Sequence, residues 1–277
     1  MSLFLGMNRI VICEKHQDHT KLVAYTEVSS DLQWEKQFQL LANEYNLQNV
    51  QMSVVLSRDF YQTFDIDKPN VNDNELMASL PFAIKELVTE SIFDLVVDYY
   101  DRPFQQNKEK QITAVCINKS KVLQIRDMLL NNGLQLNAIT IEELALTNLI
   151  GDSEDVNLLL SEQNNELVLT VVKDGQLYFS HRLRGFNDLL KRPLSETKEI
   201  LLESLSLELQ RVLDYINTQL NLTVIAHLYL AVVCPDIDLL ARNLSEYLDR
   251  NVLPFGEKGE YDFTNILAYG LLVEDHK

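Results

Sequence analysis

Cys13, His16 and His19 lie close together in the chain, and a thiolate with two imidazoles is a set that can hold zinc. They fall across the end of a strand and a turn, however, and no fourth ligand follows nearby, so a solvated hairpin turn accounts for them better. Two acidic pairs, Asp98 with Asp101 and Glu142 with Glu143, have the residue types needed for general acid and base work. Asp98 and Asp101 close a strand pattern. Glu142 and Glu143 open a helix pattern, where the helix dipole favours anions. His227 sits among apolar residues and reads as a histidine of the sheet. Ser153, Ser161 and Ser195 lack the Gly-x-Ser-x-Gly setting of a nucleophile elbow.

Glycine is the sharpest test of phosphate chemistry, because phosphate loops need backbone N–H groups to approach the oxygens closely. The chain has only 8 glycines in 277 residues, under half the usual share of about 7%. None forms Gly-x-Gly, and Gly-x-x-x-x-Gly-Lys is absent. Gly256 and Gly259 come nearest, with Glu257 between them to repel an anion. Arg182, Arg184, Lys191 and Arg192 concentrate positive charge after one strand and offer a contact surface for an acidic partner; Arg58 and Arg102 are the other notable cations. No catalytic, cofactor or metal site follows from these residues.

The net charge of −17 and isoelectric point near 4.6 repel nucleic acid and anionic lipid. Three widely spaced cysteines, Cys13, Cys116 and Cys234, each fall in an apolar run and read as reduced core thiols of a cytoplasmic protein. Met1–Cys13 is broken by Asn8 and Arg9 and is expected to be neither leader nor span. Whether Met1–Gly6 is native to the protein is open, since Met7 is a second possible start.

Hydrophobic spacing lays out the elements. Ile10–Cys13 and Leu22–Val28 read as strands around the polar turn Glu14–Thr20, followed by a helix from Asp31 to Tyr45 on Trp34, Phe38, Leu41 and Tyr45. Val50–Leu56 and Tyr61–Ile66 are strands. A helix starts at Asn72 with Leu76, Leu80, Ala83, Ile84 and Leu87 inward, kinked or divided at Pro81. Strands follow at Val96–Tyr99 and Gln111–Ile117, then a helix on Val122, Ile125 and Leu129 closed by Gly133. Thr140 and Glu143 form a capping box for a helix ending at Gly151. Beyond Asp152–Asp155 come strands Val156–Leu160, Glu166–Val172 and Gln176–Leu183, the last two joined by Asp174-Gly175, a type I′ dipeptide. Pro193 and Ser195 mark the start of a long helix with Leu201, Leu205, Leu209, Val212, Ile216 and Leu220 as its buried stripe. Val224–Val233 is a strand, Ile237, Leu240, Leu244 and Leu248 define another helix, and Thr264–Val273 a last one. The fold class is α/β, in two similar halves with an insert in the first.

Three segments carry a family resemblance: Glu75–Leu87 followed by Asp94–Asp101, Gly133–Leu146, and Glu208–Tyr215. With their order and spacing, the chain resembles the actin-like assembly proteins of type IV pili, the PilM family, above all its MshI branch in mannose-sensitive haemagglutinin (MSHA) pilus biogenesis. The cytoplasmic domain of GspL in type II secretion is also similar. The resemblance spans nearly the whole chain. It implies an actin-like, ribonuclease H-like duplicated fold, with residues 1–57 and 138–152 as the first subdomain, 58–137 as an inserted α+β subdomain and 153–277 as the second domain. It further implies a cytoplasmic scaffold recruited to the inner membrane by the cytoplasmic tail of a PilN-like bitopic protein, coupled to the assembly platform and its motor ATPase. The tail's expected seat is a groove between the first core and the insert.

ATP-binding members of the family carry an Asp-x-Gly loop in each half and a glycine-rich adenosine loop. The expected positions here read Glu14–His19, Ser161-Glu162-Gln163 and Val233–Ile237, all without glycine. A non-catalytic scaffold is therefore the leading reading. An ATP-dependent switch, leaning on Asp155 or Asp174, and a small-molecule kinase on the same fold are the alternatives.

Overall fold

The computed structural model describes residues 1–16, 19–103, 110–186, 191–196, 199–256 and 262–273. The chain divides into two compact units, Met1–Glu142 and Glu143–Lys277.

The first unit opens with a strand that hydropathy alone hides. β1 (Ser2–Leu5) is buried at every position, so it shows no alternation. It pairs antiparallel with β2 (Arg9–His16), which pairs with β3 (His19–Glu27). α1 (Trp34–Glu44) follows, burying Trp34, Phe38, Leu41 and Ala42, and β4 (Gln51–Leu56) returns parallel to β1. The chain then leaves the sheet. β5 (Tyr61–Asp67), α2 (Asp73–Ala83), β6 (Leu95–Asp101) and β7 (Gln111–Asn118) build a separate antiparallel sheet ordered β5-β7-β6. α3 (Lys119–Asn131) leads back to β8 (Gln135–Ile141), parallel to β4. The first sheet is thus β3-β2-β1-β4-β8.

α2 packs Leu76, Leu80 and Ile84 on Val97, Ile112, Ala114 and Cys116, with Phe64, Ile66 and Tyr99 at the border. Pro81 does not divide α2. It sits in the last turn, and the helix ends two residues later, so Ala83 and Leu87 are exposed rather than inward. Gly133 closes α3 as expected: with φ +73°, it donates to Leu130 O at 3.0 Å while Leu134 N–H reaches Leu129 O at 3.0 Å, a Schellman motif. Thr140, expected as a helix cap, lies inside β8.

The second unit repeats the plan. α4 (Glu142–Ile150) precedes β9 (Val156–Gln163), β10 (Glu166–Lys173) and β11 (Gln176–Leu183), an antiparallel meander. α5 (Glu199–Gln219) starts after a 3₁₀ turn at Leu194–Glu196, later than Pro193 and Ser195 suggested. It buries Leu205, Leu209, Val212 and Ile216 but leaves Leu201 exposed. β12 (Ile225–Ala231) pairs parallel with β9, and after α6 (Ile237–Leu248) the short β13 (Val252–Pro254) pairs parallel with β12. The order β11-β10-β9-β12-β13 matches that of the first sheet strand for strand. α7 (Ile266–Tyr269) is shorter than the expected last helix and ends against α4. Asn148 Nδ2 donates to Gly270 O at 3.1 Å. A Cβ at Gly270 would lie 2.0 Å from Ala145 O.

Candidate functional site

The matching strand orders identify which turns are equivalent. The β9–β10 turn corresponds to β1–β2, not to β2–β3. The first-half turn is therefore Gly6-Met7-Asn8, and the expectation that placed it at Glu14–His19 was one hairpin too late. The cause is β1, whose four buried residues give no period to read. The turn does contain a glycine, and that glycine faces inward. Gly6 N–H donates to Arg9 O at 2.9 Å. Gly6 O accepts from Trp34 Nε1 at 3.0 Å. A Cβ on Gly6 would lie 2.9 Å from the Phe4 ring, and the Arg9 guanidinium stands 5.2 Å from the centroid of that ring.

In the second half, Ser161, Glu162 and Gln163 are not a loop. They pair with Val168, Leu167 and Glu166 inside the β9–β10 ladder. The turn is Asn164-Asn165, both at positive φ (49° and 62°). Ser161 Oγ and Gln163 Nε2 are buried and have no hydrogen-bond partner among the described residues. Val233–Ile237 does follow β12, as expected, and Asp236 there accepts from Leu194 N–H at 2.9 Å. Neither hairpin turn holds a carboxylate for a metal, and the second has no residue beyond the two that reverse the chain. These residues do not fit the Asp-x-Gly manner of holding Mg·ATP.

The other singled-out residues are dispersed. Asp98 accepts from its neighbour Tyr99 N–H at 2.8 Å, whereas Asp101 pairs with Lys68 at 3.2 Å. That bond holds the Lys68 ammonium above its ordinary value. Glu142 is buried and accepts from Arg58 N–H at 3.2 Å. His227 Nδ1 lies 3.3 Å from Asn157 Oδ1, beside Tyr229 in β12. Ser153 accepts from Asp155 N–H at 3.2 Å. Much of the basic stretch is paired: Arg182 and Arg184 both engage Glu166, at 3.4 and 3.1 Å, and Lys191 engages Glu162 at 2.9 Å, while Arg192 is exposed. Cys13 is buried in β2. The side chains of His16 and His19 lie outside the described residues, as do Glu257 and Gly259. Among the described residues no cluster of three His, Cys, Asp or Glu side chains is placed for a metal. Also among them, no helix is long and apolar enough to cross a membrane.

What the first unit does present is a face. α2 covers one side of the β5-β7-β6 sheet. By the strand registers, the other side carries Thr63 and Asp65 from β5, Thr113, Val115 and Ile117 from β7, and Val96, exposed Asp98 and Tyr100 from β6. Val96 is 40% exposed, and Thr63, Val115, Ile117 and Tyr100 are half-buried. The face is bordered by a junction that ties insert to core. Tyr61 Oη accepts from Glu142 N–H at 3.3 Å. Within the insert, Asp65 binds Arg102 at 2.7 Å and accepts from Thr113 Oγ1 at 2.7 Å. Lys121 of α3 pairs with Asp31 and stands over both Trp34 and Phe60, at 5.0 and 5.4 Å. The Lys121, Trp34 and Phe60 cluster has no sequence signature, since its members are 26 or more residues apart.

No family model and no curated protein matches the chain. Solved structures do. A chain of the PilM–PilN type IV pilus biogenesis complex superposes with a TM-score of 0.69 at 15% identity, over 98% of this chain and 96% of that one. A Bacteroides thetaiotaomicron protein of actin-like ATPase fold and unknown function gives 0.56 at 11% identity, over 98% and 94%. The chain has an actin-like fold. The cytoplasmic domain of EpsL, an inner-membrane component of the type II secretion system of Vibrio cholerae, gives 0.55 at 12% identity, over 99% and 94%. In this actin-like chain the duplicated sheets are the two matching five-stranded sheets, and the extra sheet hangs between the fourth and fifth strands of the first.

Proposed function

We propose that the chain is a non-catalytic actin-like scaffold of a type IV pilus assembly platform, which holds the cytoplasmic tail of a PilN-like inner-membrane protein on the open face of the β5-β7-β6 sheet. The end-to-end likeness to a chain of the PilM–PilN complex is the observation that carries this reading. The EpsL likeness supports the same class of machine. Membrane recruitment then comes through the tail, and coupling to the motor ATPase through the platform. The MSHA branch is the finer assignment, supported by the segments Glu75–Leu87 and Glu208–Tyr215. The two closed hairpin turns support a scaffold that works without nucleotide.

Half-buried apolar residues on a pleated face suit an extended peptide, which gains main-chain bonds at a sheet edge and side-chain contacts from alternate positions. The test is titration of the full chain with a peptide copied from a PilN-like cytoplasmic tail. V96E should weaken binding about tenfold or more, as expected for a charge set into an apolar contact, with the circular dichroism spectrum unchanged. Undiminished binding by V96E would move the tail off this face. Mg·ATP at about 100 times its dissociation constant would add ~2.7 kcal/mol; a melting-temperature rise of that size would overturn the nucleotide-free part.

A further inference from the structure

The second unit carries an open groove that the reading above does not use. It runs between the start of α5, with the 3₁₀ turn before it, and the outer side of α6, and has a volume of about 620 Å³. α6 has two apolar faces. Leu240, Ala241, Leu244 and Leu248 pack inward, while Leu239 and Tyr247 point into the groove and stay 42% and 52% exposed. Leu194 and Leu202 form the opposite wall, and among the described residues the charged side chains that line the groove are Glu199 and Glu246. Exposed Glu196, Glu203 and Asp238 lie on the bordering segments, with one exposed cation, Arg192, two residues before Leu194; among the described residues Arg242 of α6 does not line it.

We propose that this groove docks a basic amphipathic helix of a partner protein. Leu239 and Tyr247 are eight residues apart, so they lie about 12 Å apart along α6, two turns of a helix laid beside it. An apolar stripe on that helix would seat between Leu202 and the Leu239–Tyr247 wall. Its Lys or Arg flanks would meet Glu199 and Glu246. The net charge of −17 draws a cationic segment in and turns anionic lipid away, which favours a protein occupant over a membrane surface.

The full chain is titrated with a fluorescent model peptide, a single amphipathic helix of leucine and lysine, at about 0.1 M salt. A leucine and glutamate helix serves as its counterpart. The Leu/Lys helix binds and the Leu/Glu helix does not. L239E and the double variant E199Q/E246Q each weaken binding about tenfold; the double variant E27Q/E44Q, exposed carboxylates of the first unit, changes it less than about twofold. All these positions are exposed, and circular dichroism confirms that the variants fold. Equal losses in both double variants would mean attraction to net charge alone and overturn the proposal, as would no binding, or binding indifferent to L239E. Concentration-dependent dimerisation abolished by L239E would give the groove to a second copy of the chain instead.

Discussion

The two halves share one strand order and differ in what joins the fourth strand to the fifth. In the second half, α6 alone connects β12 to β13. In the first, residues 57–134 leave β4, build a sheet and helix with their own core, and return through α3 to β8. The hairpin ends of the two sheets are closed in both halves, by Trp34 and the Phe4 ring in one and by a two-residue turn in the other. Each crossover also carries exposed apolar side chains, Val96 on the insert and Leu239 and Tyr247 on α6. A connection is free to vary because the parallel strands it joins are already fixed by their ladders. The proposed face lies on that connection in the first half, and one wall of the proposed groove lies on it in the second.

The largest expected effect falls on the closure of the first hairpin. Trp34 is fully buried, donates to Gly6 O and packs edge-on against Phe60 at 4.7 Å. W34A should lose about 3–5 kcal/mol of stability, the usual cost of emptying a large aromatic site. W34F keeps a ring and loses the N–H, so its cost should be nearer about 1–2 kcal/mol. Urea titration followed by circular dichroism measures both, because Trp34 is the only tryptophan and fluorescence goes with it. Equal losses in the two variants would assign the stability to the hydrogen bond and not to packing. Losses near zero would mean that the first hairpin is no more firmly closed than the second.

The same contrast shows what the sequence could reveal. The β9–β11 meander of the second half was the most legible part, because Asp174-Gly175 marks a two-residue turn, although a bulge near Tyr178 then shifts the β10–β11 register by one residue. The turn's φ values of 52° and 63° are those the dipeptide implies. β1 was not legible: four residues buried on both faces lack the alternation that marks a strand, and its tight turn lacks Asn-Gly or Asp-Gly. Missing β1 shifted the first hairpin assignment from Gly6–Asn8 to Glu14–His19. β8 was masked by the capping-box spacing of Thr140 and Glu143, and β13 is only three residues. The open face of the insert was beyond reach for a further reason. It depends on which side of the sheet α2 covers, and strand periodicity names two faces without saying which is covered.

Substitutions at the equivalent turns test the contrast at intermediate size. G6A would press a methyl group 2.9 Å from the Phe4 ring and 3.4 Å from Arg9 O. Phe4 is only 2% exposed, so the ring has little room to yield, and about 1–3 kcal/mol should be lost. In the second half, N165G places the residue suited to positive φ at a position already there, φ 62°. Asparagine tolerates that region well, so the change should stay within about 0.5 kcal/mol of wild type. A G6A protein as stable as wild type would show that the first turn opens readily.

The smallest effect is chemical. Burial raises the Cys116 thiol in the insert core and the Cys234 thiol after β12, so both should react with a disulfide reagent more slowly than a free thiol at neutral pH, where thiolate is the attacking form. Cys234 is only half-buried, whereas Cys116 and Cys13 are 2% and 0% exposed. One thiol should therefore titrate in the folded protein and the other two only on unfolding. Because the folded-state values are raised, the unfolded chain releases its thiol protons first as pH climbs. Stability should then fall with rising pH above the ordinary thiol range near ~8.5, and C116S together with C234S should flatten that slope. If Cys116 reacted as fast as Cys234, the insert sheet would be opening on the timescale of the reaction, and its face would be a mobile surface.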